Sequence, residues 1–374
     1  MHYKSLLTVY LPEITPDPEW EKEIMDKIAS IQSQPQKKEV FPFMRNLIIG
    51  DLKNISTAFG RELTPVIHKA MERYNYNTED ERYLKFEDRT DEYLKMYNEN
   101  INCIKLPNGL ILEENNYRFW DKFIIKGGQV YEKYAGPLHH PKRTKKSKKM
   151  QALLDYSRKK LYKSFDDFVE TYCCGILNEK TGKYGEWYNP DGTYDWYSVG
   201  GRWPQMFLVK NDCSEYSVGE RRDFAENTDD APEGYRWVVC ARKKDIQWDA
   251  MRQWRNQQAT ESFEKLEAMF KLGIIDESVH AINEKGILVW GKLVYRKGET
   301  LEEYLSQHGI PDDWRYPISV HDIFNENEYY SETDNAVYDE ETKSWKVVGW
   351  QEVLDEYIDN ADDNIVFVGI DYHI

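Results

Sequence analysis

The spacing of apolar residues changes several times along the chain, and each change predicts a new element. Apolar side chains cluster from Ser5 to Glu13, which predicts a strand. The following segment repeats them about every three to four residues, which is the spacing of an amphipathic helix. This repeat places Trp20, Ile24, Ile28 and Ile31 on one helix face.

The same two spacings alternate through the rest of the sequence. Further strands are predicted at 104–106, 110–112, 122–134, 206–209, 235–242, 286–295, 345–350 and 364–374. Further helices are predicted to begin at or directly after Thr64, Ser164, Asp245, Thr300 and Trp350. Because several connections are short and irregular, the predicted fold class is α+β, with mixed sheets and packed helices. We expect the first and last strands to be neighbours in one sheet.

A basic segment is the strongest composition break in the chain. From Lys142 to Lys163 there are ten Lys or Arg residues and one acid, Asp155. This break predicts an N-terminal α+β region at 1–140, the basic segment at 141–163 and a C-terminal α+β region at 164–374, with a single domain as the alternative. Residues 142–149 contain no apolar side chain, so we expect them to be exposed, and mobile unless an anion orders them.

The overall charge has the opposite sign. The formal net charge is −16, which argues against a general DNA-binding protein. From His321 to Asp363 there are fourteen Asp or Glu residues and two lysines. Such a segment could imitate the phosphates of DNA or cover a basic partner surface.

Cysteine usage and hydropathy predict the cellular setting. The five cysteines form no CxxC motif and are odd in number, which indicates reduced thiols and a cytoplasmic protein. The first residues lack the features of a signal peptide, and no apolar run is long enough to span a membrane. We therefore expect no membrane partner.

The sequence lacks the common catalytic motifs. It contains no GxxxxGK[ST], GxGxxG, HExxH, GxSxG or EF-hand pattern. These absences argue against a P-loop nucleotide triphosphatase, a Rossmann dehydrogenase, a zincin and an α/β-hydrolase. No specific cofactor is implied.

The segment from Asp195 to Trp203 is the strongest candidate site. Its two successive glycines, Gly200 and Gly201, would let backbone amides converge on an anion, and Arg202 could fork onto a phosphate or carboxylate. The rings that could stack on a planar ligand are those of Trp196, Tyr197 and Trp203. Asp195 could then act as a base. The alternative is a tight structural loop in which Asp195 and Arg202 pair.

Two histidine groups are further candidates. His139 and His140 precede Lys142 and Arg143, so a proton-transferring imidazole could lie beside phosphate-binding cations; the alternative is a solvated basic loop.

Asp371 and His373 lie two residues apart on the last predicted strand and therefore share one face. They could form an acid/base pair, whereas two ligands are too few for a metal site, and none is predicted. A terminal histidine that is hydrogen-bonded for structural reasons is the alternative.

The central pattern NP-x-G-x-x-DWY-x-x-GGRW, with a start LLTVYLPE and an ending VGIDYHI, resembles a protein family encoded by bacteriophages, prophages and actinobacteria. The residues that carry the resemblance are Asn189, Pro190, Asp195, Trp196, Tyr197, Gly200, Gly201, Arg202, Trp203, Asp371 and His373. It implies a cytoplasmic bacterial or phage setting and no particular reaction. Where the family ending has DCHI, this chain has Tyr372, which puts a cysteine nucleophile at that position in doubt.

Two functional hypotheses follow. The first is a phage-type accessory protein that binds and inhibits a host defence or nucleic-acid-handling system through its acidic surface, with a host protein as its partner. The second is an enzyme or sequestering protein that acts on a nucleotide or other phosphorylated ligand at the loop from Asp195 to Trp203. The acidic segment and the missing catalytic motifs favour the first.

Overall fold

A computed structural model describes residues 1–33, 42–113, 122–133, 140–216, 231–276, 279–340, 343–347 and 349–374. The chain forms two compact units. The first unit combines Met1–Thr78 with Asp191–Ile374, and the second is the intervening segment Glu79–Pro190. This grouping differs from the linear division predicted from composition, because the first strand pairs with the last strand rather than with its sequence neighbours.

The first unit starts with one strand and three helices. These are β1 (His2–Val9), α1 (Pro18–Ser33), α2 (Pro42–Asn54) and α3 (Ala58–Glu72). The predicted helix start at Pro65 is wrong, because α3 already begins at Ala58. The Thr57 hydroxyl caps it there by accepting a hydrogen bond from the Gly60 amide.

The second unit is built from short strands and two helices. These are β2 (Lys85–Asp88), α4 (Thr90–Asn98), β3 (Asn100–Lys105), β4 (Ile111–Glu113), β5 (Phe123–Lys126), β6 (Gln129–Glu132), β7 (Gln151–Ser157), α5 (Phe165–Phe168), β8 (Ile176–Asn178) and β9 (Lys183–Tyr188). Its buried centre includes an ion pair between Arg158 and Glu113 at 3.1 Å. Phe168 is fully buried beside it.

The basic segment lies in the second unit. Lys142 forms a backbone bridge with Glu132, and Thr144 and Ser147 exchange hydrogen bonds in a turn. Ser147 is fully buried, whereas Lys142 and Arg143 are exposed as predicted. Side-chain hydrogen bonds therefore give this segment a defined turn although it has no apolar side chain.

The chain then returns to the first unit. Its remaining elements are β10 (Trp196–Val199), β11 (Phe207–Lys210), β12 (Tyr235–Val238), β13 (Cys240–Arg242), α6 (Trp248–Leu272), β14 (Ala281–Asn283), β15 (Gly286–Val289), β16 (Lys292–Arg296), α7 (Leu301–His308), β17 (Asp322–Phe324), β18 (Tyr329–Ser331), β19 (Ala336–Asp339), β20 (Ser344–Val347), α8 (Trp350–Asn360) and β21 (Val366–His373). α7 begins directly after Thr300 as predicted, with a capping box formed by Thr300 and Glu303, and Gly309 follows its last residue.

One mixed sheet organises the first unit. Its strand order is β10-β21-β1-β17-β18, and β13 also pairs with β21. β1 and β21 are antiparallel over their whole length, from His2 opposite His373 to Val9 opposite Val366, while β1 and β17 are parallel. The predicted α+β class and the predicted pairing of the first and last strands are both confirmed.

Helices cover both faces of this sheet. The Trp248 ring of α6 lies 6.3 Å from Phe367, and Tyr357 of α8 hydrogen-bonds Thr8, which faces Phe367 across the strands. On the opposite face the ring of Tyr74, directly after α3, lies 5.2 Å from Phe324. β21 is consequently buried on both faces, as its nearly continuous apolar sequence predicts.

The described residues contain no helix that is both long and apolar enough to cross a membrane. All five cysteines carry free thiols.

Asp322, at the start of β17, is a fully buried carboxylate. It accepts hydrogen bonds from Tyr329 at 2.8 Å and from Tyr372, and it contacts His321 Nδ1 at 2.8 Å. Asp355 is also buried and accepts from the Arg315 amide at 2.9 Å. These two acids of the segment 321–363 therefore serve the interior of the fold.

We predict that the pair of His321 and Asp322 stabilises the fold most at low pH. Burial alone would lower the pKa of His321, but the hydrogen bond to Asp322 and the charges of Asp322 and Glu332 outweigh it and raise this pKa above 6.5. A raised folded-state pKa gives stability that is complete below the unfolded pKa and is lost as pH rises through the folded one.

Urea unfolding of the wild type and of His321→Gln between about pH 5.5 and about pH 8.5 measures this contribution. The difference in free energy of unfolding should shrink as pH rises. A difference that is constant or grows with pH would contradict the assignment.

Candidate functional site

The ends of β10 and β21 bring together two segments that lie far apart in sequence. Trp196 is opposite His373, and Ser198 is opposite Asp371. Because side chains alternate along a strand, these four lie on one face of the sheet. Asp195 directly precedes β10 and reaches the same edge.

The first histidine of the site is held by Asp195. His373 Nδ1 lies 2.9 Å from Asp195 Oδ1, and this hydrogen bond holds the pKa of Asp195 below its usual range. The Trp196 ring lies nearly parallel to the His373 ring, with centroids 6.2 Å apart. Asp195 therefore pairs with His373 and not with Arg202, as the structural-loop alternative had it.

A second histidine, His2, is held in the same way. His2 Nδ1 lies 2.9 Å from Oδ1 of Asp371, whose side chain is 1% exposed. The His2 and His373 rings meet edge to face with centroids 5.1 Å apart. An ionised carboxylate only accepts hydrogen bonds, so each Nδ1 carries the proton and the Nε2 of each neutral ring is the basic nitrogen.

The glycine pair serves Asp371. Gly200 and Gly201 have φ values of 76° and 52°, and the turn they form directs the Arg202 amide to Asp371 Oδ2 at 2.9 Å. The amides of Gly200, Gly201 and Trp203 donate to backbone carbonyls. The glycine amides were predicted to converge on a ligand anion, but they donate to the protein backbone. The anion at this turn is the Asp371 carboxylate, which accepts from the Arg202 amide.

The remaining predicted ligand contacts do not all lie on the same face of the sheet. Tyr197 points to the opposite face from Trp196, where its hydroxyl contacts His68 Nδ1 at 2.5 Å and burial raises its pKa. Trp203 is half-buried. Trp196 is 38% exposed, and Arg202 is exposed with no ion pair to any described residue. These last two stay predicted ligand contacts.

The other candidates lie elsewhere. His139 is outside the described residues, and His140, Lys142 and Arg143 belong to the unit Glu79–Pro190. Within the described ranges no group of three or more His, Cys, Asp or Glu side chains is arranged to hold a metal ion.

Sequence reasoning missed His2, Lys4 and Ser198. Placing the first strand antiparallel to the last would have revealed His2 beside His373 and Lys4 beside Asp371. Burial, followed by the charge of Arg255, lowers the pKa of Lys4 to about 7. Ser198 Oγ is buried without a hydrogen-bond partner among the described residues.

The sequence matches no family model, no curated protein and no solved structure with significance. The function must therefore be inferred from the chemistry of these residues.

We predict that Gly201→Ala unfolds the site. A Cβ at this position would lie 2.4 Å from Asp371 Oδ2 and 2.5 Å from Ser198 Oγ. Gly273→Ala is a matched control, because Gly273 has a similar φ of 66° with open space around it. The control should lose about 1–2 kcal/mol from backbone strain alone, and Gly201→Ala about 3–5 kcal/mol because crowding adds to strain. Equal losses in denaturant unfolding would show that the loop does not pack on Asp371.

We further predict that Arg202→Ala leaves the fold intact. Only the Arg202 backbone amide contacts Asp371, and alanine keeps that amide. The free energy of unfolding should change by less than about 0.5 kcal/mol, as at an ordinary surface position. A thermal melt of the variant measures this, and a large drop in Tm would mean that the guanidinium belongs to the scaffold.

Proposed function

We propose that the protein is an enzyme that acts on a nucleotide or other phosphorylated ligand by general acid–base catalysis. The observation that carries the proposal is the pair of imidazoles of His2 and His373, 5.1 Å apart and each held at Nδ1 by a carboxylate. One fixed histidine is common in proteins, whereas two adjacent ones, each hydrogen-bonded at Nδ1, can provide a base and an acid at one place through Nε2.

The chemistry is a balanced pair of proton transfers. A neutral imidazole removes the proton from an attacking water or hydroxyl as its oxygen bonds to phosphorus. The second imidazole, protonated at the start, delivers its Nε2 proton to the leaving oxygen as the other P–O bond breaks. Asp195 and Asp371 keep both rings in the required tautomer and stabilise whichever ring is cationic.

The surroundings suit a phosphorylated planar ligand. The Arg202 guanidinium has no ion-pair partner among the described residues and can take two oxygens of a phosphate. The exposed face of Trp196, beside His373, can stack on a base at little conformational cost. Trp196 lies opposite His373 in the strand register, and the backbone amide of Arg202 contacts Asp371, the carboxylate that holds His2.

The alternative, an inhibitory protein with a DNA-mimicking surface, requires the acids of 321–363 to lie together on the outside. Asp322 and Asp355 are buried, and Asp359 lies against Arg315. The acidic segment thus supports this function less than the paired histidines support catalysis.

We predict that His2→Asn and His373→Asn each lower turnover about 100- to 10,000-fold, the usual contribution of a positioned acid or base. The assay uses a panel of phosphodiesters, cyclic nucleotides and nucleoside monophosphates. Turnover should show a bell-shaped pH profile, since one ring must be neutral and the other protonated. His280→Asn is the control, because His280 is exposed and its ring contacts Trp290 rather than either carboxylate.

Thermal melts of the same variants separate catalysis from folding. A substrate of the panel that both variants turn over at the wild-type rate would overturn the proposal, as would a panel on which the wild type shows no turnover.

A further inference from the structure

A cavity of about 450 Å³ opens beside α6. Arg255, Gln258 and Ser262 line it from one side of this helix, at spacings of three and four residues. Trp237 of β12 and His308 of α7 also line the cavity. The volume lies within the range of small-molecule sites, roughly 300–1,000 Å³.

Arg255 is the lining residue that indicates a ligand. It forms no ion pair with a described residue, and its Nε is buried without a hydrogen-bond partner in the same part of the chain. Burial lowers its pKa, with no carboxylate to oppose the effect. A desolvated guanidinium without a counterion is costly, and the fold leaves it facing an open cavity.

A bound anion would supply the counterion that Arg255 lacks among the described residues. A phosphate suits this role because two of its oxygens can accept from the guanidinium fork. The cavity therefore favours a ligand with concentrated negative charge.

The walls add a preference for a ring. The Arg255 guanidinium lies 5.7 Å from the centroid of the Trp237 ring, and Trp254 also lines the cavity. Gln258, Ser262 and His308 supply neutral hydrogen-bonding groups around the same space.

We propose that this cavity is a binding site for a phosphate monoester that carries a planar ring, with the phosphate held by Arg255 and the ring lying against tryptophan. The site is distinct from the paired histidines and does not depend on the reaction proposed there. A free mononucleotide is the simplest ligand of this chemistry.

Isothermal titration calorimetry with purified full-length protein tests the proposal. The probes are adenosine 5′-monophosphate, adenosine, inorganic phosphate and benzoate. The monophosphate should bind most tightly. Adenosine, which offers only the ring, and inorganic phosphate, which offers only the anion, should bind more weakly. Benzoate should bind most weakly, because its carboxylate carries a single charge. Arg255→Met should weaken the monophosphate about 10- to 100-fold, the loss of a charged hydrogen bond.

Lys265→Met is the matched control, since Lys265 lies on α6 outside the cavity lining and pairs with Asp276. It should bind the monophosphate as the wild type does. His2→Asn should also bind normally, which separates this site from the failure of the catalytic proposal.

Ligand-free Arg255→Met gives a second readout. Its Tm should equal or exceed that of the wild type, because an unpaired buried charge is removed. A clear fall in Tm would show that Arg255 is structural. Equal monophosphate affinity in wild type and Arg255→Met, or no binding of the monophosphate, would overturn the proposal.

Discussion

The carboxylate of Asp371 is the interaction on which the site depends. It is buried in the strand at the centre of the sheet, and its two oxygens receive the imidazole of His2 and the amide of Arg202. A buried carboxylate needs such donors because it has left water. One side chain thus ties the first strand, the last strand and the glycine turn into a single arrangement.

This arrangement explains why the glycine turn has its sequence. Gly200 and Gly201 adopt backbone angles that other residues avoid, and Gly201 leaves room for the Asp371 and Ser198 side chains. Arg202 is then fixed at the backbone while its side chain remains free to meet a ligand. A turn that is structural in its backbone can therefore still be functional in its side chains.

Charge is distributed unevenly around this centre. The whole chain is acidic, with a net charge of −16, yet the face of α6 that lines the cavity carries Arg255 without an ion pair to a described residue. Local desolvation, more than net charge, decides what such a face can bind. An anionic small molecule fits this face although a general DNA-binding role does not fit the protein.

Sequence periodicity was sufficient for the fold class, for the pairing of the terminal strands and for the shared face of Asp371 and His373. It could not identify His2, because His2 and Asp371 are 369 positions apart and meet only through the register of β1 and β21. It also assigned the glycine amides to a ligand, since no local pattern shows that they donate to backbone carbonyls while the Arg202 amide meets the distant Asp371 carboxylate. Arg255 was missed because an arginine on a long helix is usually solvated, and its burial depends on tertiary packing.

The central claim is that His2 and His373 are both held at Nδ1 by carboxylates. Long-range ¹H–¹⁵N correlation spectra of the imidazole rings, assigned with His→Asn variants, report directly which nitrogen carries the proton. Both neutral rings should be in the Nδ1–H form, in contrast to the Nε2–H form that solvated histidine favours. Nε2–H tautomers, or rapid averaging between the two forms, at either residue would contradict it.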